Sequence, residues 1–133
     1  MKKAHYYNNV NADLLAGIPR SSKVVIEFGC GNGALGAAYK LSNPLVNYTG
    51  VEFNPRAADL AAKVLDYVVC GDIEDPRLIL SEKEDILYDC LVYGDVLEHL
   101  KNPWNSLSRH LDLLAEDGVV VACIPNVQHW SVM

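Results

Sequence analysis

Short apolar runs alternate with segments of helical spacing along this chain. A strand is predicted where apolar or β-branched residues lie between turn-forming residues, and a helix where apolar residues recur every three or four positions. The predicted strands are Val24–Phe28, Asn47–Phe53, Tyr67–Cys70, Tyr88–Tyr93 and Val119–Ile124, the last ended by Pro125. Strands that alternate with helices across short connections are typical of a parallel sheet covered on both faces. The pattern therefore predicts a doubly wound α/β fold.

The helices predicted between these strands have recognisable start and stop signals. They begin after Gly33, at Asn54-Pro55, within Arg77–Glu84, which is helical only in part, and at Asn102-Pro103. Asn followed by Pro is a common helix start because the Asn side chain caps the first turn and proline lacks an N–H that would be unbonded there. The second helix is predicted to run to about Val64. In the last helix Leu107, Leu111 and Leu114 keep helical spacing until Asp117-Gly118 interrupts it.

The composition narrows the class of protein. By length, residues 1–133 form one domain, and 50% of them are apolar, which is the balance of an ordinary globular protein. The formal charge of −6 argues against a nucleic-acid or anionic-membrane partner, because an acidic surface is repelled by both. The start of the chain lacks the apolar run of a signal peptide, and no segment has the length of a membrane span. We therefore expect a soluble, cytoplasmic protein that binds neither nucleic acid nor membrane.

The spacing of cysteine and histidine gives no indication of a metal site. No Cys-x-x-Cys pair occurs among the four cysteines, Cys30, Cys70, Cys90 and Cys123. Ligand-like spacing is also absent from His5, His110 and His129. The sequence therefore predicts reduced, buried thiols and no metal.

The most informative segment is the first predicted strand with the glycines that follow it. Gly29, Gly31 and Gly33 alternate directly after the apolar strand and before a predicted helix. Glycines there let the backbone turn tightly and approach a ligand closely, at the carboxyl ends of the strands where parallel sheets bind ligands. The dinucleotide fingerprint Gly-x-Gly-x-x-Gly/Ala fits this segment in two registers, and the acidic residue expected about 20 positions later is Glu52. The glycines alone therefore predict a cofactor loop without choosing the cofactor.

A carboxylate inside the strand distinguishes two cofactor classes. Glu27 lies two residues before Gly29. It would approach the doubly charged pyrophosphate of a nicotinamide cofactor, and like charges at short distance are costly. A cofactor that has no phosphate and ends in cationic sulfonium and ammonium groups would tolerate or favour this carboxylate. S-adenosylmethionine has that chemistry, so Glu27 favours it.

Several segments together resemble a known family. Glu27–Gly33 resembles the Glu/Asp-x-Gly-x-Gly-x-Gly signature of class I S-adenosylmethionine-dependent methyltransferases. The segments that agree with the family in order and spacing are Glu52, Gly71–Glu74, Tyr88–Leu100 and Leu113–Val121. Tyr88–Leu100 resembles the family's Phe-Asp then Val-Leu-Glu-His segment, and Asp117 replaces one glycine of its Leu-Leu-x-x-Gly-Gly segment. The resemblance covers about Tyr6 to Trp130, and the combination is far more specific than a glycine pattern alone.

This resemblance implies a Rossmann-like, mainly parallel sheet of about five strands in the order 3-2-1-4-5. Class I methyltransferases usually add strands 6 and 7 as an antiparallel hairpin beside the fifth, and this chain ends at Met133 without them. We therefore expect residues 1–133 to be a single, incomplete S-adenosylmethionine-binding domain whose uncovered sheet edge favours a homodimer. The type it resembles acts on small molecules and is related to ubiquinone-biosynthesis and sugar-modifying methyltransferases.

The resemblance also implies which residues bind the cofactor. They are Glu27, Gly29, Cys30, Gly31, Gly33, Glu52, Phe53, Asp72, Ile73 and Asp95. Glu52 would bind both ribose hydroxyls, Asp72 would accept a hydrogen bond from the adenine amine, and Ile73 would meet the adenine ring. Asp95 would lie near the methionine part or the acceptor. The implied reaction transfers the methyl group of S-adenosylmethionine to a small-molecule acceptor and releases S-adenosylhomocysteine.

The singled-out acidic residues also have purely structural interpretations. Glu27 could merely bond loop amides, and Asp72 could serve only as a turn former. Asp95 and Glu98 have the Asp-x-x-Glu spacing of a helix capping box. Asp95 and His99 are weak catalytic candidates: Glu98-His99 could deprotonate an acceptor hydroxyl, but a structural role is favoured because no second partner can be identified.

Two other functions are compatible with the same architecture. One is a nicotinamide-dependent oxidoreductase, against which Glu27 counts. The other is a catalytically silent cofactor-binding module, which no residue excludes. The sequence names no acceptor and does not distinguish O-, N- and C-methylation.

Overall fold

The structure, a computed structural model, describes residues 10–80 and 85–123. Its strands are β1 (Val24–Phe28), β2 (Asn47–Glu52), β3 (Tyr67–Cys70), β4 (Tyr88–Tyr93) and β5 (Leu114–Ala122). Its helices are α1 (Ala12–Gly17), α2 (Ala34–Ser42), α3 (Pro55–Ala61) and α4 (Pro103–His110), with 3-10 turns at Leu97–His99 and Leu111–Leu113. None of these described helices is long and apolar enough to cross a membrane.

The strands form one parallel sheet in the order β3-β2-β1-β4-β5. β1 lies at the centre, where Glu27 is opposite Gly50 of β2 and Val92 of β4. The chain proceeds from β1 outward to β3 and then returns to β4 on the other side of β1, so the strand order reverses there. Ligands of such sheets bind at this reversal, beyond the carboxyl ends of the strands. The predicted doubly wound fold and strand order are confirmed.

Two apolar clusters, one on each face, hold the helices on the sheet. Val25 packs in the cluster that includes Leu14 of α1 and Leu35 of α2, which we call the α2-side cluster. The next residue, Ile26, faces the opposite way and packs with Leu107 of α4 in the α4-side cluster. Successive side chains of a strand point to opposite faces, and each fully buried aliphatic side chain stabilises the fold by about 1.5–3 kcal/mol. The continuous apolar run of β1 is therefore explained by burial on both faces.

His110, at the end of α4, is buried against the α4-side cluster with 1% of its surface exposed. Its ring stacks on Phe28 with the ring centroids 4.0 Å apart, and its Nδ1 shares a hydrogen bond of 2.8 Å with the Tyr93 hydroxyl. Burial, aided by the charge of Arg109, lowers the pKa of His110 to about 4. The imidazole is therefore neutral at physiological pH and packs as an aromatic side chain.

The two helix starts predicted from Asn-Pro pairs are confirmed. The Asn54 side chain accepts hydrogen bonds from the N–H groups of Arg56 at 2.9 Å and Ala57 at 3.2 Å. The Asn102 side chain accepts one from the N–H of Asn105 at 3.1 Å. In both helices a proline takes the first turn, where its missing N–H costs nothing.

The ends of these helices differ from prediction. α3 ends at Ala61 instead of about Val64, because the chain tightens there and the Val64 N–H donates to the carbonyl of Ala61, three residues back. α4 ends at His110 and is followed by the 3-10 turn Leu111–Leu113. Leu114, which keeps helical spacing in the sequence, is the first residue of β5. Apolar spacing alone does not distinguish these conformations.

β5 begins earlier than predicted, at Leu114 instead of Val119. Its register with β4 shifts between the pairs Tyr88–Leu114 and Cys90–Val119. Asp117-Gly118 therefore lies in an irregular stretch of strand and does not end a helix. The predicted end of this strand, Ile124-Pro125, lies outside the described residues.

Two further segments differ from the sequence analysis. α1 was not predicted, because its single buried residue, Leu14, gives no periodic pattern. It is capped by Asn11, whose side chain accepts a hydrogen bond from the Leu14 N–H at 3.0 Å. The segment 77–84 was predicted to be partly helical; its described part, residues 77–80, contains no helix, and residues 81–84 lie outside the described part.

The cysteines are free thiols. Cys30 and Cys90 are buried as predicted, whereas Cys70 is exposed, so the prediction of a buried thiol is wrong there. Cys123 is half-buried at the end of β5. Within residues 10–80 and 85–123 no group of three or more His, Cys, Asp or Glu side chains is placed to hold a metal ion.

Candidate functional site

The loop Gly29–Gly33 turns the chain from the end of β1 into α2. All three glycines have positive φ angles, 76° at Gly29, 57° at Gly31 and 90° at Gly33, which other residues rarely adopt. The N–H groups of Gly29 and Cys30 both donate to the Val51 carbonyl, at 2.8 and 3.0 Å. The loop is thereby fixed to the carboxyl end of β2.

Gly31 and Gly33 differ in their surroundings. A Cβ atom on Gly33 would lie 2.8 Å from Val64 Cγ2 and 3.1 Å from Ala61 Cα, so only glycine lets this neighbouring segment pack closely. A Cβ atom on Gly31 would meet no atom of the described residues within 4 Å. The loop therefore has one packed side and one open side, and a ligand could approach its backbone at Gly31.

Glu52, at the end of β2, connects the glycine loop with the start of α3. Its Oε1 accepts a hydrogen bond from the Gly31 N–H at 2.8 Å, and its Oε2 accepts one from the Asn54 N–H at 3.0 Å. An ionised carboxylate has about four acceptor positions, so others remain for a hydroxyl donor. The next residue, Phe53, is 72% exposed. A fixed carboxylate thus lies beside an exposed aromatic ring at the ligand-binding end of the sheet.

Glu27 lies in β1, two residues before the loop, and is 4% exposed. The Tyr48 hydroxyl donates a hydrogen bond to its Oε1 at 2.8 Å. Burial raises the pKa of Glu27 to about 8, although the Tyr48 hydrogen bond acts in the opposite direction, and the charge of Glu52 raises it further. The Glu27 carboxyl is therefore mainly protonated at neutral pH in the free protein.

This protonation changes the electrostatic argument drawn from the sequence. A neutral Glu27 would not repel a pyrophosphate, so the expected like-charge repulsion requires that the carboxyl be ionised. Glu27 could instead select between ligands through its own ionisation, because a nearby cation favours the carboxylate and a nearby anion favours the neutral acid. A cationic ligand placed near Glu27 would thus favour its ionised form, with release of a proton.

Cys30 contributes backbone to the loop while its thiol packs inward. A Cβ atom on Gly50 would lie 2.5 Å from Cys30 Sγ, so the absence of a side chain in β2 makes room for the sulfur. Burial raises the pKa of the Cys30 thiol far above its usual range, and the charges of Glu27 and Glu52 add to the effect. A thiol that stays protonated is a poor nucleophile.

Asp72 and Ile73 lie in the loop after β3. Asp72 Oδ1 accepts a hydrogen bond from the Glu74 N–H at 2.9 Å, so the turn-forming role considered for it is present. The Asp72 side chain is nevertheless exposed and accessible to a ligand, whereas Ile73 is 7% exposed and packs in the α4-side cluster. The Gly71 N–H donates to the Glu52 carbonyl at 2.9 Å, which joins this loop to the end of β2.

Asp95, Glu98 and His99 lie in the loop after β4, and all three are exposed. The 3-10 turn Leu97–His99 has no side-chain cap, so the capping box considered for Asp95 and Glu98 is not formed. Among the described residues no ion pair joins Glu98 to His99. The loop therefore contains the two predicted candidates without an evident acid-base pair.

Cys123 lies next to Asp95 and contacts Asn11, although neither Cys123 nor Asn11 was assigned a role from the sequence. Burial, and then the neighbouring Asp95 carboxylate, raise the pKa of the Cys123 thiol. The Asn11 Nδ2 donates to Cys123 Sγ at 3.5 Å. The end of β4, the end of β5 and the cap of α1 therefore converge at one side of the sheet.

Tyr48 is the site residue that the sequence analysis missed most clearly. It lies two positions before Gly50, which is opposite Glu27, so both side chains are on the same face of the sheet. Only the register of β1 with β2 brings them together. Neither strand's own pattern contains that register, although a carboxyl in a buried strand is a signal that a partner is needed.

Comparisons with known proteins agree with this architecture. A family model described as a methyltransferase domain matches residues 26–120. The solved structure of the plantazolicin methyltransferase BpumL in complex with S-adenosylhomocysteine (SAH) is 19% identical, with a TM-score of 0.68 over 83% of this chain. Coclaurine N-methyltransferase bound to N-methylheliamine and SAH is 21% identical, with a TM-score of 0.64 over 80%. The StiE O-MT, residues 942–1257, is 16% identical, with a TM-score of 0.67 over 83%.

The matched regions cover only part of each of these solved structures. The matched parts make up 42% of the BpumL chain, 32% of the coclaurine enzyme and 40% of the StiE segment, so this chain spans less than half the length of each. At these identities the structures establish a shared fold. No curated protein matches the sequence.

The buried Glu27 predicts a pH-dependent stability that its amide variant lacks. Because the pKa of Glu27 is raised from 4.5 to about 8 in the folded protein, its contribution to stability is fully present below about pH 4.5 and is lost as the pH rises through about 8. The free energy of unfolding of the wild type, relative to Glu27→Gln, should therefore fall between pH 5 and pH 8.5. Urea denaturation at several pH values measures this difference.

Tyr48→Phe is the matched variant for that experiment. It removes the hydrogen bond that lowers the pKa of Glu27, so the loss of stability should begin near the same pH as in the wild type but continue to higher pH and be larger in total. A difference between wild type and Glu27→Gln that stays constant with pH would contradict the burial of a protonated carboxyl.

Proposed function

This chain belongs to the methyltransferase-domain family, and on that premise we propose that it binds S-adenosylmethionine and transfers the methyl group to a small-molecule acceptor, releasing SAH. The observation that carries the proposal is the open side of the glycine loop at Gly31, which Glu52 holds in place. A Cβ atom there would extend into free space, and that space is where the backbone can meet a ligand. The positive φ angle explains why glycine is needed at position 31. It does not explain the space beside this glycine, which no side chain of the described residues fills.

The residues around the opening fit the parts of this cofactor. The loop Gly29–Gly33 would pack against the methionine part, and Glu52, already fixed by two N–H groups, would accept hydrogen bonds from the ribose hydroxyls. The exposed ring of Phe53 and the exposed carboxylate of Asp72 follow adjacent strands, as an adenine site requires. Apolar and aromatic surface with a few placed polar groups is the usual composition of a cofactor site.

Charge also supports this assignment. When bound, S-adenosylmethionine supplies a methyl group that its positively charged sulfur makes electrophilic. A cationic ligand near Glu27 would lower the pKa of that carboxyl and gain an attractive partner in a region shielded from water. A dinucleotide pyrophosphate would gain no such partner. The proposal therefore assigns Glu27 to the selection of cationic ligands.

The chain's residues would accelerate the reaction mainly by position. Holding an acceptor atom in line with the methyl group supplies much of the rate, and a base is needed only if the acceptor must lose a proton. Asp95 lies beyond the end of β4, on the side where an acceptor would approach, with Cys123 and Asn11 beside it. Asp95 and His99 are accordingly the candidates for an acceptor-side role.

The comparisons do not identify the acceptor. The neighbours' names differ: one is a plantazolicin methyltransferase, one a coclaurine N-methyltransferase and one an O-MT. Their likeness establishes fold and does not select an acceptor. We propose a small-molecule acceptor, because the formal charge of −6 disfavours nucleic acid as a substrate, and we also propose a cytoplasmic location.

Isothermal titration calorimetry tests the cofactor assignment directly. The chain should bind S-adenosylmethionine and SAH in saturable, one-to-one fashion and should not bind NAD. Binding of NAD without binding of SAH, by protein shown to be folded, would favour the oxidoreductase alternative. Binding of SAH without turnover of any small-molecule acceptor would favour the catalytically silent module.

Gly31 and Gly33 form a matched pair for testing the loop. Gly31→Ala should raise the SAH dissociation constant by about tenfold or more, since steric overlap with a ligand costs about 1–3 kcal/mol, while unfolding shifts by about 1–2 kcal/mol. Gly33→Ala should instead lower stability by about 2–4 kcal/mol, because its Cβ atom meets Ala61 and Val64. Calorimetry and urea denaturation separate the effects. Wild-type affinity in Gly31→Ala would contradict a ligand at the open side.

We also propose a homodimer through the free edge of β5. Among the described residues β5 pairs only with β4, and Val119 and Val120 are 39% and 40% exposed. An unpaired strand edge with apolar side chains favours pairing with another chain. Sedimentation velocity should show self-association that increases with concentration and is reduced in Val120→Lys. A strictly monomeric profile at high concentration would refute the dimer.

A further inference from the structure

One carboxylate joins two loops that come from separate parts of the sheet. Glu74 lies in the loop after β3, beside Asp72 and Ile73. Its Oε1 accepts a hydrogen bond from the Lys101 N–H at 3.1 Å, and its Oε2 accepts one from the Asn102 N–H at 2.9 Å. Lys101 and Asn102 lead into α4. The side chain therefore links the loop after β3 to the segment after β4.

The strands that carry these loops are not neighbours. β2 and β1 lie between β3 and β4, so the two strands are three spacings, roughly 14 Å, apart. The segments that follow these strands must therefore span the width of the two central strands to meet. Glu74 is a point of contact between them, at the end of the sheet where the proposed cofactor binds.

A second contact fixes the backbone of the same residue. Arg109 Nη2 donates to the Glu74 carbonyl at 3.2 Å and to Ser106 Oγ at 3.4 Å. The carboxylate of Glu74 is thus held at the start of α4, and its carbonyl is held by Arg109 near the end of the same helix. Two attachments at opposite ends of α4 restrict both the position and the tilt of the loop.

The electrostatics of this contact favour an ionised side chain. The N–H groups of Asn102 and Lys101 hold the pKa of Glu74 below its ordinary value. Unpaired N–H groups at a helix start attract an anion, so the carboxylate complements this end of α4. The link is therefore intact at neutral pH.

The neighbouring residue gives the link its functional relevance. Ile73 packs in the α4-side cluster, and Asp72 closes its turn on the N–H of Glu74. The conformation of the proposed adenine-binding pair thus depends on where Glu74 is held. Its neighbour Asp75 has a different role: its carboxylate receives Arg77, within the same loop.

We infer that Glu74 is a positioning residue for the adenine end of the site, which holds Asp72 and Ile73 against the segment after β4. The inference rests on the proposed function, since it assigns the loop after β3 to adenine. Loss of the link should loosen the adenine contacts while leaving the glycine loop and Glu52 in place.

Calorimetry with two probes tests this role. Glu74→Gln should raise the dissociation constant of SAH by roughly tenfold, because an amide can replace only one of the two charge-assisted bonds. It should also reduce the preference for SAH over S-inosylhomocysteine, which lacks the adenine amine. Asp75→Asn changes a neighbouring carboxylate that interacts with the charge of Arg109 but whose side-chain hydrogen bonds, among the described residues, go to Arg77 and not to α4. This variant should retain the wild-type affinity and preference.

The possible results distinguish a failure of this inference from a failure of the proposed function. No binding of SAH by the wild type overturns both. Wild-type affinity and preference in Glu74→Gln, measured well below its unfolding temperature, overturn the inference alone and leave Glu74 a purely structural cap. If Glu74→Gln does not fold, Arg109→Gln removes the other attachment and should shift the preference in the same direction; an unchanged preference there overturns the inference as well.

Discussion

The candidate site depends on the hydrogen bonds that hold the carboxyl end of β1 against that of β2. The Val51 carbonyl receives two N–H groups of the glycine loop, and Glu52 receives a third from Gly31 while it also holds the start of α3. Three residues with positive φ would otherwise form a mobile segment, because glycine has the greatest backbone freedom. One strand end therefore sets the shape of the loop, the opening beside Gly31 and the place of Phe53.

The burial of Glu27 links the stability of the free protein to the ligand selection proposed for this residue. A carboxyl buried in a central strand is unfavourable when charged, and the single hydrogen bond from Tyr48 does not offset this desolvation cost. A cation bound near this carboxyl would favour its ionised form. In this account the same burial that weakens the free protein at high pH strengthens its attraction for a positively charged ligand.

The strands and the glycine turn could be predicted from local apolar runs and from the backbone requirements of glycine and proline, whereas the order of the sheet came from the family resemblance. Prediction from the sequence failed where two conformations share one pattern: Leu114 fits a helix and a strand equally, and Leu14 is too isolated to mark a helix. Contacts such as Tyr48 with Glu27, or Glu74 with Lys101 and Asn102, depend on strand register and loop paths. Those are properties of the assembled fold and have no local signal.

A crystal structure of the chain grown with SAH tests the central claim most directly. The account predicts the ribose hydroxyls within hydrogen-bonding distance of Glu52, the amino-acid end of SAH along Gly29–Gly33, and the adenine between Phe53 and the Asp72–Ile73 turn. SAH bound elsewhere, or a glycine loop that remains without ligand at saturating SAH, would contradict it.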